Sequence, residues 1–196
     1  MSDIFQTIAG PSEGIYKEKM SKFLAFAFPV TSSAEAKAYV ADFQKRYYDA
    51  RHVCWAYMIG AARTEFQSND NGEPSGTAGK PILGQINSFG LTNVVIIVVR
   101  YFGGIKLGTS GLIVAYREAA REALSAAEII ECHETEDVRF IFPYLAMNDV
   151  MRLCKNCDAE IISQIFDNSC EMTLRVRRDH AENLRQKLGD IDGVCF

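Results

Sequence analysis

Residues Val94–Tyr116 are VVIIVVRYFGGIKLGTSGLIVAY, and they join three kinds of local pattern in one continuous segment. The run Val94–Val99 is aliphatic throughout, which predicts a strand buried on both faces of a sheet. The segment Arg100–Gly111 is a glycine-rich turn, with Thr109 or Ser110 as the N-cap of a helix over about 112–127. The predicted buried stripe of that helix is rich in small side chains, which indicates close approach to the sheet: Leu112, Ala115, Tyr116, Ala119, Ala120, Ala123 and Ala127.

Upstream of this segment, the pattern is that of a mixed α and β domain. Two segments, Ile15–Lys19 and Lys22–Pro29, predict a hairpin or two successive strands. Ser32 and Glu35 have capping-box spacing ahead of a helix to about Tyr48. We further predict strands over His52–Ala61 and Thr64–Ser68, a polar loop over 69–81 and a short helix over Pro81–Ile86.

Downstream, the order of the predicted elements is β-α-β-β-α-β, the split βαβ arrangement of ferredoxin-like domains. The strands are Val138–Phe142, Ala159–Phe166 and Cys170–Val176, with turn residues at Asp167-Asn168-Ser169 and a last short strand at Val194–Phe196. The first helix has its apolar face at Met147, Val150, Met151 and Cys154. Asp179 and Glu182 have capping-box spacing for a second helix through Leu188.

The distribution of charge indicates where the chain divides. The 196 residues carry 21 Lys+Arg and 25 Asp+Glu, a net charge of −4. Residues 1–130 hold 13 basic and 12 acidic side chains, whereas residues 131–196 hold 8 and 13. We therefore predict two domains, 1–130 and 131–196, with the acidic run Glu131–Asp137 as a linker at their boundary. The alternative for that run is a polar edge strand. The net charge argues against a wholly basic nucleic-acid coat and leaves room for a local basic patch.

Composition also bears on compartment and cofactors. The longest aliphatic run has six residues against the roughly 20 of a membrane-spanning helix, and MSDIFQTIAG lacks the features of a signal peptide. We expect a cytoplasmic protein with free thiols at its six cysteines and no membrane partner. Cys154-x-x-Cys157 resembles half a zinc site or a redox pair, but Cys154 falls on the predicted buried stripe. We expect no metal and no cofactor.

Two loops carry the residues suited to binding. The loop over 69–81 combines three glycines with Asp70, Glu73 and Lys80, and its alternative is a long surface turn. The Arg100–Gly111 turn lies between a strand and a helix, where anions bind free backbone N–H groups. Its spacing is neither that of a P-loop nor G-x-G-x-x-G. Tyr101 and Phe102 serve either for stacking or for packing the edge of the core.

His52 and Cys54 suggest a catalytic pair by residue type. The alternation of a strand places both on one face, with Val53 and Trp55 opposite, which favours a structural role. No motif of nucleophilic or paired-carboxylate catalysis accompanies them, and we predict no catalytic residue.

The two loops and the elements that flank them resemble the YigZ/IMPACT family. The resemblance rests on DNGEPSGTAGKPIL (Asp70–Leu83) followed by Val94–Tyr116, with weaker agreement at Lys22–Ala25 and Arg51–Ala56. It implies an α+β protein with an N-terminal ribosomal protein S5 domain 2-like domain and a C-terminal ferredoxin-like domain, a pair similar to domains IV and V of elongation factor G. Eukaryotic IMPACT proteins regulate translation by competing for the activator of an initiation-factor kinase. Their different partner domain does not occur in this chain, so that partner does not transfer.

The resemblance and the two loops together indicate a non-enzymatic, translation-related regulatory protein. We expect it to bind RNA, the ribosome or a translation-associated protein, without sequence-specific DNA binding. The alternatives are an enzyme or sensor for a small phosphorylated or nucleotide ligand in the same loops, or a protein-interaction module. The predicted binding residues are Lys80, Arg100 and Lys106 for phosphate, Tyr101 or Phe102 for stacking, and Gly76, Gly103 and Gly104 for backbone approach. The predicted loop-ordering residues are His52, Asp70, Glu73 and Ser75.

Overall fold

The computed structural model describes residues 4–167 and 169–196, so the first three residues of the N-terminal stretch and Asn168 of the predicted turn lie outside it. The chain forms two compact units, Phe5–Cys132 and His133–Phe196, the second also including Ile4. No helix of the described residues is long and apolar enough to cross a bilayer.

The first unit contains most of the regular structure, and its elements run as follows in chain order: β1 (Ile4–Ile8), β2 (Ser12–Glu18), β3 (Ser21–Pro29), α1 (Ser33–Arg46), β4 (His52–Ile59), β5 (Glu65–Asn69), α2 (Gly79–Ser88), β6 (Val94–Tyr101), α3 (Gly108–Ser125) and β7 (Ile129–His133). Five strands form an antiparallel sheet in the order β2-β3-β6-β4-β5. A separate two-stranded sheet joins β1 and β7.

Strand β6 lies at the centre of the five-stranded sheet and is buried on both faces, as predicted. Val94, Ile96 and Val98 belong to the core that α2 and α3 cover, whereas Val95 and Ile97 belong to the core on the opposite face, against α1. The alanine-rich stripe of α3 packs on the first core. A Cβ on Gly14 of β2 would come within 2.3 Å of the Ala123 backbone nitrogen, so the close approach expected of that stripe occurs.

The N-terminus of α1 is as the local sequence predicts, whereas that of α3 is not. The Ser32 cap is confirmed, because the Glu35 amide donates to Ser32 Oγ at 3.2 Å, but the Glu35 carboxylate accepts from the N–H of Thr31 at 2.8 Å rather than from that of Ser32. The predicted start of α3 near Leu112, with a Thr109 or Ser110 cap, is wrong. The helix begins at Gly108, whose φ of +73° makes the turn, and no side chain caps it.

The second unit is an antiparallel three-stranded sheet with two helices, and its elements are β8 (Thr135–Phe142), a 3₁₀ turn (Tyr144–Ala146), α4 (Met147–Asn156), β9 (Ala159–Phe166), β10 (Cys170–Arg177) and α5 (Arg178–Gly189). The strand order is β8-β10-β9. Its core includes Phe140, Val150, Met172 and Leu184. The β-α-β-β-α order is as predicted, but the last strand is reduced to a single bridge between Ile141 and Cys195.

Two further predictions for this unit are corrected. The Asp179–Glu182 capping box does not form: α5 begins at Arg178 directly after β10 and has no side-chain cap, so Asp179 lies within its first turn. The acidic run over 131–137 is strand in β7 and β8 rather than an irregular linker. Cys154 packs in the core, with its Sγ 3.7 Å from Met172 Sδ.

Candidate functional site

A cleft of about 380 Å³ lies where the 70–78 loop, the end of β6 and the start of α3 meet. Its basic lining residues are Arg51, Arg100 and Lys106, and its acidic one is Glu73. Phe102, His52 and the first residues of α3 complete much of the wall. The fold thus brings together the two loops that the sequence singled out.

The strand pairing places Arg100 at the centre of this cleft. In register, Arg100 lies between Phe23 of β3 and His52 of β4. Its guanidinium carbon is 5.5 Å from the Phe23 ring centroid and 5.6 Å from that of Phe102, so it is held between two aromatic rings. The side chain is only 7% exposed, and its Nη1 donates to Glu73 Oε1 at 2.5 Å.

Glu73 connects the loop to the interior of the domain. Its Oε1 also accepts a hydrogen bond from the Tyr116 hydroxyl at 2.8 Å. The Cys54 Sγ lies 3.3 Å from that hydroxyl oxygen and 3.0 Å from the Asp70 carbonyl oxygen, to which the thiol donates. Burial is the main cause that raises the pKa of Tyr116. Burial also raises the pKa of the Cys54 thiol to about 12. Cys54 is therefore a protonated thiol at neutral pH, which is a poor nucleophile.

Both nitrogens of His52 face groups of the loop. Nδ1 donates to the Asn71 carbonyl oxygen at 2.8 Å, since a carbonyl only accepts, and Nε2 lies 3.8 Å from Glu73 Oε2. Neither nitrogen is directed at an incoming nucleophile in the manner of a catalytic dyad. His52 therefore holds the loop in place.

Asp70 organises the segment between the loop and α2. Its carboxylate accepts from the backbone N–H groups of Gly76 (2.8 Å), Ala78 (3.0 Å) and Gly79 (2.8 Å). Helix α2 has no cap from its own N-cap residue, so Asp70 supplies that function from a distance in sequence. Burial alone would raise the pKa of Asp70, but these three donors outweigh it and lower the pKa below its ordinary value.

Two glycines are required by close approach of backbone. A Cβ on Gly79 would lie 2.7 Å from the Asn69 amide nitrogen. One on Gly103 would lie 2.0 Å from the Met20 carbonyl carbon, in the turn between β2 and β3. Gly103 also donates its N–H to Ser21 Oγ at 3.2 Å, which fixes the loop after β6. Gly104 and Gly76 take φ values of +87° and +78°.

The other predicted residues are divided between the cleft and its surroundings. Phe102 lines the cleft and is 44% exposed, and Lys106 lines it as an exposed cation. Tyr101 faces the opposite side of the sheet, where its hydroxyl donates to Asp49 at 3.0 Å. Lys80 and Ser75 are exposed on the 70–80 segment but are not among the lining residues.

Sequence reasoning missed Arg51 and the link through Tyr116. Arg51 lies in the stretch Arg51–Ala56 that carries part of the family resemblance, and this was the available signal. Tyr116 was assigned to the buried stripe of α3, which is correct but does not reveal that its hydroxyl reaches Glu73.

The family model of the Impact N-terminal domain matches residues 19–124, which include every residue of the cleft. This chain belongs to the IMPACT family. The IMPACT family member YigZ of Escherichia coli is 34% identical over 160 residues, covering 81% of this chain and 78% of its own. The Protein IMPACT homolog of Saccharomyces cerevisiae is 37% identical over 98 residues, covering 46% of this chain and 36% of its own.

A crystal structure described as that of a hypothetical protein aligns with a TM-score of 0.78 at 29% identity, covering 97% of this chain and 93% of its own. This match extends over both units and confirms the predicted α+β fold class for almost the whole chain.

Proposed function

We propose that this IMPACT-family chain is a cytoplasmic, translation-related regulatory protein that binds single-stranded RNA, free or on the ribosome, through the cleft of its first domain. The observation that carries the proposal is the grouping of an exposed Phe102 ring with Lys106 and Arg51 at the start of α3. Bases stack on such rings without regard to sequence, while cations and helix N-termini attract the phosphates.

The electrostatics favour a local site over a general attraction. The chain carries a net charge of −4, so its overall charge does not attract RNA. Arg100 is neutralised by Glu73, whereas Arg51 and Lys106 have no ion pair among the described residues. The attraction for phosphate therefore comes from these two exposed side chains and the free N–H groups of the α3 first turn.

The buried groups below the cleft support binding rather than catalysis. Cys54 holds its proton at neutral pH, and His52 uses Nδ1 to hold the loop through the Asn71 carbonyl. The network Arg100–Glu73–Tyr116 holds the Arg100 guanidinium in place, 5.6 Å from the centroid of the Phe102 ring. A preformed surface binds with little ordering cost.

The second candidate function is recognition of a small phosphorylated ligand in the same cleft. Its volume of about 380 Å³ lies in the usual range for small-molecule sites, roughly 300–1,000 Å³. A mononucleotide would use the same cations and the same aromatic ring.

Fluorescence anisotropy with a labelled RNA octamer, at several KCl concentrations, tests the proposal. We expect Phe102→Ala to weaken binding by about tenfold, in line with roughly 1–3 kcal/mol per stacked base. Lys106→Ala should weaken binding and make the slope of log K against log salt less steep by about 0.7 for a single strand.

Lys37→Ala is the matched control, because Lys37 is an exposed lysine on α1, at the opposite face of the sheet. It should bind like the unmodified chain. If the unmodified chain does not bind the octamer at low salt, or if Lys106→Ala and Lys37→Ala bind alike, the proposed function is wrong.

A further inference from the structure

We infer that the cleft recognises a terminal phosphomonoester, as on the end of an RNA strand or on a mononucleotide, in preference to an internal phosphodiester. This inference rests on the proposed function, because it specifies which phosphate of the bound strand enters the cleft.

The charge of the lining is the first step. Arg51, Arg100 and Lys106 face one carboxylate, that of Glu73, which leaves two positive charges in excess when His52 is neutral. An internal phosphodiester carries one negative charge. A phosphomonoester carries about −1.5 to −2 at pH 7, since its second pKa is near 6. The monoester therefore matches the lining more closely.

The hydrogen-bond donors are the second step. Gly108 and Thr109 line the cleft at the start of the 18-residue helix α3, whose first turn has no side-chain cap and no acidic residue. The first-turn N–H groups of such a helix are free to donate to an anion. A monoester offers three terminal oxygens to these donors, whereas a diester offers two.

The state of Arg100 is an independent observation that points to a ligand. Its side chain is more than nine-tenths buried and lines the cleft, and its Nε is buried with no hydrogen-bond partner. A buried charged donor without a partner costs free energy unless something accepts its hydrogen bond. Glu73 accepts from Nη1, and no other hydrogen bond of the guanidinium is found among the described residues, so an anion seated against Arg100 would meet donors that Glu73 leaves unused.

The dimensions of the cleft are the third step. About 380 Å³ is near the small end of ligand sites, and Pro74 and Leu112 are part of its wall. The end of a strand can place its phosphate among donors on several sides, but an internal phosphate must leave room for the chain to continue in both directions.

Isothermal titration calorimetry on the full chain tests the inference with three RNA octamers of one sequence. One carries a 5′-phosphate, one a 3′-phosphate, and one has hydroxyl groups at both ends. We expect one of the phosphorylated octamers to bind at least tenfold more tightly than the hydroxyl octamer. The double variant Arg51→Ala/Lys106→Ala should reduce that preference to less than threefold, while Lys37→Ala should retain it.

The outcomes separate this inference from the proposed function. Equal binding of all three octamers overturns the inference and leaves RNA binding in place. If no octamer binds, both the proposed RNA binding and the inference about an RNA terminus are wrong. A nucleoside 5′-monophosphate is the fourth ligand: if it binds as tightly as the preferred octamer, the monoester is recognised on a free nucleotide and the RNA chain adds nothing.

Discussion

The Glu73–Arg100 pair provides a direct test of how the cleft is held together. Glu73→Gln retains the size of the side chain and an oxygen that can accept from Tyr116, so the main change is the loss of one charge. The Arg100 guanidinium would then be buried without its counterion. Removing one partner of a buried ion pair costs about 3–5 kcal/mol, a large fraction of the roughly 5–15 kcal/mol that stabilises a typical domain.

The double variant Glu73→Gln/Arg100→Met separates the pair from its surroundings. Each single variant leaves one buried charge unpaired, whereas the double variant leaves none. We therefore expect the double variant to lose at least about 2 kcal/mol less than the two single variants lose in sum.

Urea unfolding followed by tryptophan fluorescence measures these differences in the first domain. Trp55 is the single tryptophan of the chain and is 7% exposed in the core against α1, so its emission reports this domain alone. Asp42→Asn is the control, because it breaks an exposed pair with Arg46 at 2.6 Å that should contribute less than about 1 kcal/mol. A cost below about 1 kcal/mol for Glu73→Gln, or strict additivity in the double variant, would refute this account of the network.

Three other predictions concern the first domain, the last of them with Cys195 of the second unit as its reference. Asp70→Asn should lower the free energy of unfolding at pH 7 by about 1–2 kcal/mol. The difference from the unmodified chain should disappear as the pH falls through the lowered pKa of Asp70, because the three backbone donors stabilise the ionised carboxylate. Urea midpoints from pH 7 to pH 2 measure this. Gly103→Ala should destabilise the domain by about 1–3 kcal/mol, because its Cβ would clash with backbone. Gly84 is exposed within α2 and has open space at its Cβ, so Gly84→Ala should stabilise the domain by about 0.4–1 kcal/mol. Thermal melts of the two variants measure both changes. At pH 8, iodoacetamide should alkylate the exposed Cys195 but not Cys54, whose pKa is about 12, until urea unfolds the domain; peptide mass spectrometry locates the label, and early labelling of Cys54 would contradict the burial argument.

Local sequence patterns predicted those strands and helices whose own residues show which face is buried. The aliphatic run from Val94 predicted a strand covered on both faces, and the alternation around Cys54 placed its side chain on the face opposite Val53 and Trp55, as the structure has them. The ribbon of β1 and β7 was missed because each strand is five residues long, and the second overlaps the acidic run taken as a boundary. Short strands of mixed polarity depend on a distant partner for their structure.

The two loops of the candidate cleft were identified from the sequence, but the faces to which their residues point were not, for one physical reason. The strand was expected to end at Val99, so Arg100, Tyr101 and Phe102 were treated as one loop surface. Strand β6 continues to Tyr101, and its alternation sends Arg100 to the cleft and Tyr101 to the other face. The pairing of Arg100 with Glu73, 27 residues away, depends on strand register and has no counterpart in local spacing.

The position of β6 between two cores has a consequence for motion. Its backbone amides are bonded to β3 on one side and β4 on the other, and its side chains contribute to both cores. Neither layer can detach without exposing this strand, so its amides should exchange with deuterium only through opening of the whole domain. Arg100 is anchored near the end of that slowest-exchanging segment, whereas Lys106 belongs to the exposed loop that follows it. A ligand in the cleft would thus contact Arg100 on the fixed strand together with Arg51 and Lys106 on exposed segments, and protection gained on binding should appear in those segments and not in the strand.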